Sequence, residues 1–320
     1  MNEQISRQTE TTVHETTLTN LEQEIIRTIA YFDVFAYPLT TDQVYYFLSR
    51  NSVTPSHIKE TAEELTARGL LHQHCEYFFF PNRSPSLVTS RKDNERRAIV
   101  MMKRARRMAA LLKCFPFVRA IFLTGSLSKN VASRSSDVDF MIVTAPGRLW
   151  ICKMLMTAFR RIFLLNSIKY FCVNLFVTEN GLRFSEQNIF NAIEIATTRV
   201  LWNEAIFQHY RSENSWIKKF LPNWGTDETN ISPLSAQPSF IQQAIEFLLE
   251  FFPLKNFDSY LMETARRFWK KRYSSFDENA FKRHYQCTSD ISTVWHNDNK
   301  KNILEGYHQR LKQFNIEPSA

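Results

Sequence analysis

The chain of 320 residues contains 40 Lys and Arg against 32 Asp and Glu, so its formal net charge is +8 at pH 7. A hydrophobic fraction of 44% excludes a wholly disordered protein, and the length allows two or three domains of about 100–200 residues each. The five cysteines include no CxxC pair, which excludes a zinc ribbon and gives no disulfide framework.

The N-terminal segment is polar and rich in threonine, and we expect a disordered tail over residues 1–20. It contains no apolar core of a signal peptide. No uncharged apolar run in the chain reaches the roughly 18 residues that a membrane-spanning helix needs. We therefore expect a cytoplasmic protein without a membrane partner.

Residues 21–85 are predicted to form a module of three helices and a β-hairpin. The apolar spacing predicts helices over residues 21–31 and 42–50, and a third helix that Pro55 starts and Gly69 ends. The segments LLHQ and EYFFF follow as two short strands. This order of elements is typical of a winged-helix module.

The third helix of this module has a net negative charge, which limits the kinds of molecule that it can contact. It carries Glu60, Glu63 and Glu64 against Lys59 and Arg68. A negative recognition helix would repel the phosphates of DNA. We therefore expect no sequence-specific DNA binding, and a contact with the next domain or with a partner protein instead.

Residues 91–113 are predicted to form a strongly basic helix, with nine basic and two acidic side chains. Its apolar stripe, which we expect to pack against another element, is supplied by Ile99, Met102, Ala109 and Leu112 or by their neighbours in the sequence. The basic side faces solvent, and beside a phosphate-handling site it could draw in a polyanion such as RNA.

The core domain is predicted over residues 91–182, where strands alternate with one largely apolar helix. The strands cover residues 118–123, 138–143 and 170–178, and the helix covers residues 147–165. A short mixed sheet with flanking helices indicates the α+β fold class.

Residues 183–320 have a helical pattern throughout, and we predict a C-terminal helical region there. A segment rich in Pro, Ser and Asn at residues 222–238 reads as a linker within it. A second basic stretch at residues 266–272 is another place where a polyanion could bind.

Gly125 and Ser126 follow directly after the predicted strand 118–123, in a chain that has only 6 glycines. A strand that runs through Gly-Ser into a helix presents unpaired backbone N–H groups and a hydroxyl. Glycine allows a phosphate to approach the backbone closely. This pattern predicts a site for an anion at Gly125 and Ser126.

Asp137 and Asp139 stand at positions i and i+2 on a predicted strand, so both carboxylates project from one face. Two close, unpaired carboxylates repel each other. A divalent cation removes that repulsion, and carboxylate oxygens suit Mg²⁺ or Mn²⁺. A phosphate site facing a metal-binding acid pair is the arrangement that nucleotidyl transfer requires.

The segment LTGSLSKNVASRSSDVDFMIV resembles the signature of the DNA polymerase beta-like nucleotidyltransferase superfamily. With FDVFAYPLT upstream and VTAPGRLW downstream, the chain is also similar to uncharacterised bacterial nucleotidyltransferase-domain proteins that begin with a winged-helix-like module. The resemblance implies that Gly125 and Ser126 hold the triphosphate of an NTP. It also implies that Asp137 and Asp139 bind Mg²⁺ or Mn²⁺ and carry catalysis.

Two positions depart from the superfamily pattern. Relatives often have glycine where this chain has Asn130, and asparagine tolerates the left-handed backbone that such a turn needs. The superfamily also adds a third acid on a neighbouring strand, where this chain has Asn174, an amide that cannot accept a proton. Glu179 or Glu194 could substitute for it.

Arg148, directly after Pro146 and Gly147, is a further candidate for a phosphate contact. Its alternative role is that of an exposed residue in the first turn of a helix.

The leading hypothesis is an enzyme that moves an NMP from an NTP to the hydroxyl of a small molecule, a protein or an RNA. The alternative is an NTP-binding sensor with little or no turnover, whose winged helix contacts a partner protein. A DNA-binding regulator with an incidental nucleotidyltransferase fold is disfavoured by the acidic third helix.

Overall fold

The computed structural model describes residues 18–165, 171–225, 233–249, 251–274, 276–277, 281, 285–294 and 299–318. The predicted tail lies almost entirely outside these residues, as does Tyr170 at the start of the predicted strand 170–178. Helices surround a six-stranded mixed sheet, so the α+β class is confirmed.

Three helices begin the described chain: α1 (Asn20–Asp33), α2 (Thr41–Phe47) and α3 (Pro55–Ala67). Capping boxes at Thr19 and Thr40 start α1 and α2, because each threonine accepts from a backbone N–H three residues on. Gly69 follows α3 with a φ of +72°, the left-handed conformation that ends a helix.

A three-stranded antiparallel sheet accompanies these helices. It consists of β1 (Leu39–Thr40), β2 (His72–His74) and β3 (Tyr77–Phe79), in the order β1-β3-β2. The hairpin of β2 and β3 lies where the sequence predicts it, whereas the two residues of β1 are too short a strand to recognise by pattern. The assignment of this module as a winged helix stays a prediction.

The basic helix α4 (Ser86–Leu112) begins five residues earlier than predicted. Its buried stripe differs from the predicted one at Ile99, which is 64% exposed, whereas Met102 is partly buried and packs against the core as predicted. The side chains that pack into the core are Ala98, Met101, Ala105, Ala109 and Leu112.

The central sheet has the strand order β7-β4-β5-β6-β9-β8. Only β5 and β6 are parallel, and the other neighbours are antiparallel. The bounds are β4 (Val118–Thr124), β5 (Asp139–Thr144), β6 (Cys172–Thr178), β7 (Arg199–Trp202), β8 (Tyr285–Cys287) and β9 (Ile291–Val294).

The two faces of the sheet are covered by different helices. Ile121, Leu123 and Ile142 pack with α4 and with α6 (Leu149–Phe163). The opposite face packs against α7 (Ile189–Ala196), α8 (Glu204–Glu213) and the N-terminal module. Alternation of side chains along each strand explains this division.

The prediction of an all-helical region after residue 183 is wrong. β7, β8 and β9 come from this region and complete the central sheet. Strands of three or four residues give too little periodicity to recognise. The described parts of the predicted linker also pack on the sheet, because the backbone N–H of Leu234 donates to Leu201 O at 2.8 Å.

The other C-terminal elements are α9 (Phe240–Leu249), α10 (Leu254–Arg272) and α11 (Asn299–Lys312). Helix α10 packs against α6, and α11 returns to pack against α1 of the N-terminal module. Among the described residues, no helix combines the length and apolar character needed to cross a membrane.

Candidate active site

The Gly-Ser turn and the acid pair meet because β4 and β5 are antiparallel neighbours. Thr124, the last residue of β4, lies directly opposite Asp139, the first residue of β5. A short helix, α5 (Gly125–Ser128), begins at the next residue. The pairing therefore brings Gly125 and Asp139 together although 13 residues separate them in sequence.

Gly125 is packed against the carboxyl group of Asp139. Its φ is +68°, and a Cβ atom added to it would lie 2.3 Å from Asp139 Oδ2. Both the backbone conformation and the missing side chain are therefore required for this approach. Asn130, with a φ of +59°, adopts the left-handed backbone expected where relatives have glycine.

The prediction that both acids lie on one strand is wrong for Asp137, because β5 begins at Asp139, one residue after the predicted start, and Asp137 lies two residues before it. The two carboxylates are nevertheless close enough to influence each other. Burial raises the pKa of Asp139 above its usual range, and the negative charge of Asp137 raises it further. This repulsion is the condition that a bound divalent cation would relieve.

Asn174 reaches Asp139 through a β-bulge in β6. Phe140 pairs with Val173 and Met141 pairs with Leu175, so Asn174 is the extra residue between them. The bulge places Val173 and Leu175 on opposite faces of the sheet, whereas strict alternation had predicted that they share one face. The Asn174 Nδ2 donates to Asp139 Oδ1 at 2.5 Å.

The Cys172 thiol completes this contact, and the sequence pattern does not single it out. Cys172 lies opposite Asp139 in the parallel pair of strands, and its Sγ donates to Asn174 Oδ1 at 3.0 Å. Burial and the nearby Asp139 charge raise the pKa of this thiol to about 12. The thiol therefore stays protonated and acts as a donor at neutral pH.

Lys129 and Glu194 form an ion pair beside the Gly-Ser turn. Lys129 Nζ lies 2.9 Å from each carboxylate oxygen of Glu194 and 3.2 Å from the carbonyl oxygen of Gly125. The charge of Glu194 contributes to the raised pKa of Asp139. The sequence had suggested Glu194, but Lys129 could be noticed only as a cation one helical turn after Ser126.

Arg148 and Glu179 lie at the opposite end of the sheet from Asp139. Strand β5 runs from Asp139 to Thr144, about 16 Å at roughly 3.3 Å per residue, and Arg148 follows it. Because β6 is parallel to β5, Glu179 also follows the far end. The structure does not bring these two predicted site residues to Asp139, and the Arg148 guanidinium instead lies over the Phe117 ring.

Asp137, Asp139 and Asn174 are the side chains here that could hold a metal ion. Carboxylate and amide oxygens are hard donors that suit Mg²⁺ or Mn²⁺. Within the part of the chain that the structure describes, no cluster of three or more His, Cys, Asp or Glu residues could hold one. The set of residues therefore fits a metal that also takes ligands from a bound substrate.

A cleft of about 460 Å³ lies between the N-terminal module and the central sheet, beside the C-terminal end of α5. The Tyr37 hydroxyl contacts Lys129 O at 3.5 Å, and the Tyr46 hydroxyl donates to Ala196 O at 3.3 Å. These two contacts connect the module to the segments that flank the cleft. We call it the aromatic cleft, from its lining by Phe32, Tyr37, Tyr45, Tyr46 and Phe47.

The comparison with protein families gives one match. The family model described as the nucleotidyltransferase domain matches residues 105–198, which include Gly125, Asp139 and Asn174. No curated protein and no solved structure matches the chain.

Proposed function

We propose that the nucleotidyltransferase domain of residues 105–198, a member of the polymerase beta-like superfamily, transfers an NMP from an NTP to an acceptor hydroxyl. The observation that carries this proposal is the packing of Gly125 against the Asp139 carboxyl group. A phosphate held at the Gly-Ser turn would lie next to the acid pair.

The chain's own groups have separate roles in this proposal. Gly125 and Ser126 bind the triphosphate through backbone N–H groups and the Ser126 hydroxyl. Asp137 and Asp139 hold Mg²⁺ or Mn²⁺, which when bound supplies charge neutralisation for the triphosphate and for the departing pyrophosphate. The acceptor oxygen forms a bond to the α-phosphorus, and the bond from that phosphorus to the bridging oxygen of the β-phosphate breaks.

The acceptor hydroxyl must also lose a proton. Asn174 cannot take it, because an amide is not a base at neutral pH. Of the two acids considered as substitutes, Glu194 lies beside the Gly-Ser turn and Glu179 does not. We therefore assign proton acceptance to Glu194 or to solvent.

The acceptor is a small molecule, a protein or an RNA. The aromatic cleft, at about 460 Å³, falls within the range of about 300–1,000 Å³ seen for small-molecule sites. The basic stretches 91–113 and 266–272 favour RNA or another polyanion. Recognition of a specific DNA sequence is not part of this proposal.

The second candidate function is an NTP sensor with little turnover that signals to a partner protein through the N-terminal module. The contact from Asn174 to Asp139 favours it, since an amide stands where the superfamily has its third acid. Both candidates require NTP and metal binding, so they differ only in turnover.

Pyrophosphate release from each of the four NTPs, with Mg²⁺ or Mn²⁺, tests the proposal. The wild type is compared with Asp137→Ala/Asp139→Ala and with Glu60→Ala/Glu64→Ala, a control that loses two exposed carboxylates on α3. We expect release by the wild type and the control and none by the acid-pair variant. Release that survives in the acid-pair variant would contradict the proposal, and metal-dependent NTP binding without release would support the sensor.

A further inference from the structure

Four arginines line a second cleft, of about 330 Å³, between α4 and the loop of residues 133–136. We call it the arginine cleft. In the part of the chain that the structure describes, its lining contains no carboxylate. The lining residues are Arg96, Arg97, Val100, Met101, Arg104, Ser133, Arg134 and Ser136.

For Arg96 and Arg97, contacts with neighbouring residues compensate the positive charge only weakly. Arg96 forms an exposed pair with Asp93, with 3.3 Å between the charged atoms, and such surface pairs contribute little. Arg97 donates to neutral oxygens, at 3.1 Å to Ala132 O and at 2.8 Å to Asn94 Oδ1. Like charges held together repel, and a bound anion would relieve that repulsion.

The cleft is held open by contacts of its own walls. Arg97 Nε donates to Ala132 O, and the Ala132 N–H donates to Asn94 O at 3.3 Å, which fixes the loop to α4. Within the loop, the Ser133 N–H donates to Ser136 Oγ at 2.9 Å. A phosphate can therefore enter without the ordering cost of a mobile loop.

The loop that forms one wall leads directly to the acid pair. Ser136 precedes Asp137, and Arg134 lies three residues before it. Three residues span at most about 11 Å of backbone. A chain of phosphates seated at Arg134 would reach the acid pair within a few nucleotides.

The cleft and the Gly-Ser turn are separate sites. Helix α4 packs on the face of the sheet that carries Phe140 and Ile142. Asp139 belongs to the opposite face, with Met141, since successive side chains alternate. The lining of the arginine cleft includes none of Gly125, Ser126, Asp137 and Asp139, so the cleft shares no residue with the proposed triphosphate and metal site.

We propose that the arginine cleft seats the backbone phosphates of a single-stranded nucleic acid whose terminal hydroxyl is the acceptor. Guanidinium groups bind phosphate oxygens through paired N–H donors, and Val100 and Met101 supply an apolar wall for a sugar or base. This inference rests on the proposed function, because it names the acceptor for that reaction.

The binding test uses a labelled 20-nucleotide single strand, as RNA and as DNA, in fluorescence anisotropy over a series of salt concentrations. Arg96→Gln/Arg134→Gln is compared with Lys103→Gln/Arg107→Gln, which removes two exposed charges from the same helix outside the cleft. We expect at least about tenfold weaker binding by the cleft variant. The slope of log affinity against log salt should fall by about 1.4, at roughly 0.7 per phosphate contact. Equal losses in the two variants, or no loss, would overturn the proposal.

The acceptor test adds labelled NTP and the same strands to protein that releases pyrophosphate. The proposal is supported if the wild type labels the end of the strand and the cleft variant does not, while the KM for NTP is unchanged. Comparison of the RNA and DNA strands shows which of the two is the acceptor. A raised KM for NTP in the cleft variant would mean that the cleft binds the triphosphate, which would overturn the proposal. Absence of labelled strand from protein that does release pyrophosphate overturns the nucleic-acid acceptor while the transferase activity stands.

Discussion

Gly125 combines a left-handed backbone with a contact that a side chain would obstruct, and the two effects can be separated by experiment. Gly125→Ala places a Cβ 2.3 Å from Asp139 Oδ2, so Asp139 must move. Gly69→Ala is a matched control, because its φ is also positive and nothing lies within 4 Å of the added atom.

We expect Gly69→Ala to lower the free energy of unfolding by about 1 kcal/mol, the usual cost of a left-handed non-glycine residue. Gly125→Ala should lower it by about 2–4 kcal/mol, since displacement of Asp139 is added. Urea unfolding of both variants measures the difference. Equal losses would mean that Gly125 is required only for its backbone conformation.

Asn174 stands where the superfamily that the chain resembles is expected to have its third acid, and Asn174→Asp places a carboxylate there. Without metal, the variant exchanges a hydrogen bond to Asp139 for a third negative charge. Without metal, we expect the free energy of unfolding of Asn174→Asp to be about 1–2 kcal/mol lower than that of the wild type. Mn²⁺ should stabilise the variant more than it stabilises the wild type.

Pyrophosphate release by Asn174→Asp should rise at least about tenfold, because general bases contribute roughly 10²–10⁴ to rates. Asn174→Ala is the control, since it removes the hydrogen bond without adding a base. A similar rise in both variants would show that the amide restrains Asp139 and that no base is missing.

Helix α9 lies with its polar side against the sheet and its apolar side outward. Glu246 accepts from the Phe117 N–H at 2.5 Å and from both terminal nitrogens of Arg119, at 2.9 and 3.0 Å. Phe240 is 83% exposed and Phe247 is 62% exposed. Polar contacts rather than apolar burial therefore hold this helix in place.

Glu246→Ala should lower the free energy of unfolding by about 2–3 kcal/mol, because it leaves the Arg119 charge and a backbone donor without their partner. Gln243→Ala, at an exposed position on the same helix, is the control. Hydrogen exchange should show lost protection over residues 240–249 and unchanged protection in β5. Unchanged exchange over α9 would contradict this role of Glu246.

At the scale of elements, the sequence identifies the helices and strands that have a clear apolar pattern or are bounded by proline or glycine. Pro55 and Gly69 bound α3 as predicted, and β4 and β5 lie where apolar runs indicate. Strands β7 to β9 are too short for a pattern. The parallel pairing of β5 with β6 cannot be read from sequence either, which is why Glu179 was predicted as a site residue. Arg148 is far from Asp139 because it follows the other end of β5.

At the scale of the whole molecule, a buried carboxylate joins parts of the chain that are far apart in sequence. Asp33, 4% exposed at the end of α1, accepts from Arg83 at 2.8 and 2.9 Å and from Arg310 of α11 at 2.6 Å. Burial alone would raise the pKa of Asp33, but the hydrogen bonds from Arg83 and Arg310 bring it below its usual range. One carboxylate thus joins the N-terminal module to the C-terminal helix.

Asp33→Asn should lower the free energy of unfolding by about 3 kcal/mol at pH 7, because two arginines lose their charged partner. A lowered carboxyl pKa stabilises the fold above the unfolded-state value of about 4, and that stability is lost as the pH falls through the folded-state pKa. The difference between wild type and variant should therefore shrink at acidic pH. Asp93→Asn, in an exposed pair, should change stability by less than about 0.5 kcal/mol.

Calorimetric titration with the α,β-methylene analogues of the four NTPs, with and without Mn²⁺, directly tests the metal and nucleotide site at the start of β5. We expect at least one analogue to bind the wild type only with Mn²⁺, and Asp139→Asn and Gly125→Ala each to weaken this binding at least about tenfold, or 1.4 kcal/mol. Glu60→Gln, on the surface of α3, should bind as the wild type does. Binding that does not depend on Mn²⁺, or that survives in Asp139→Asn, would contradict a single metal and nucleotide site at the start of β5.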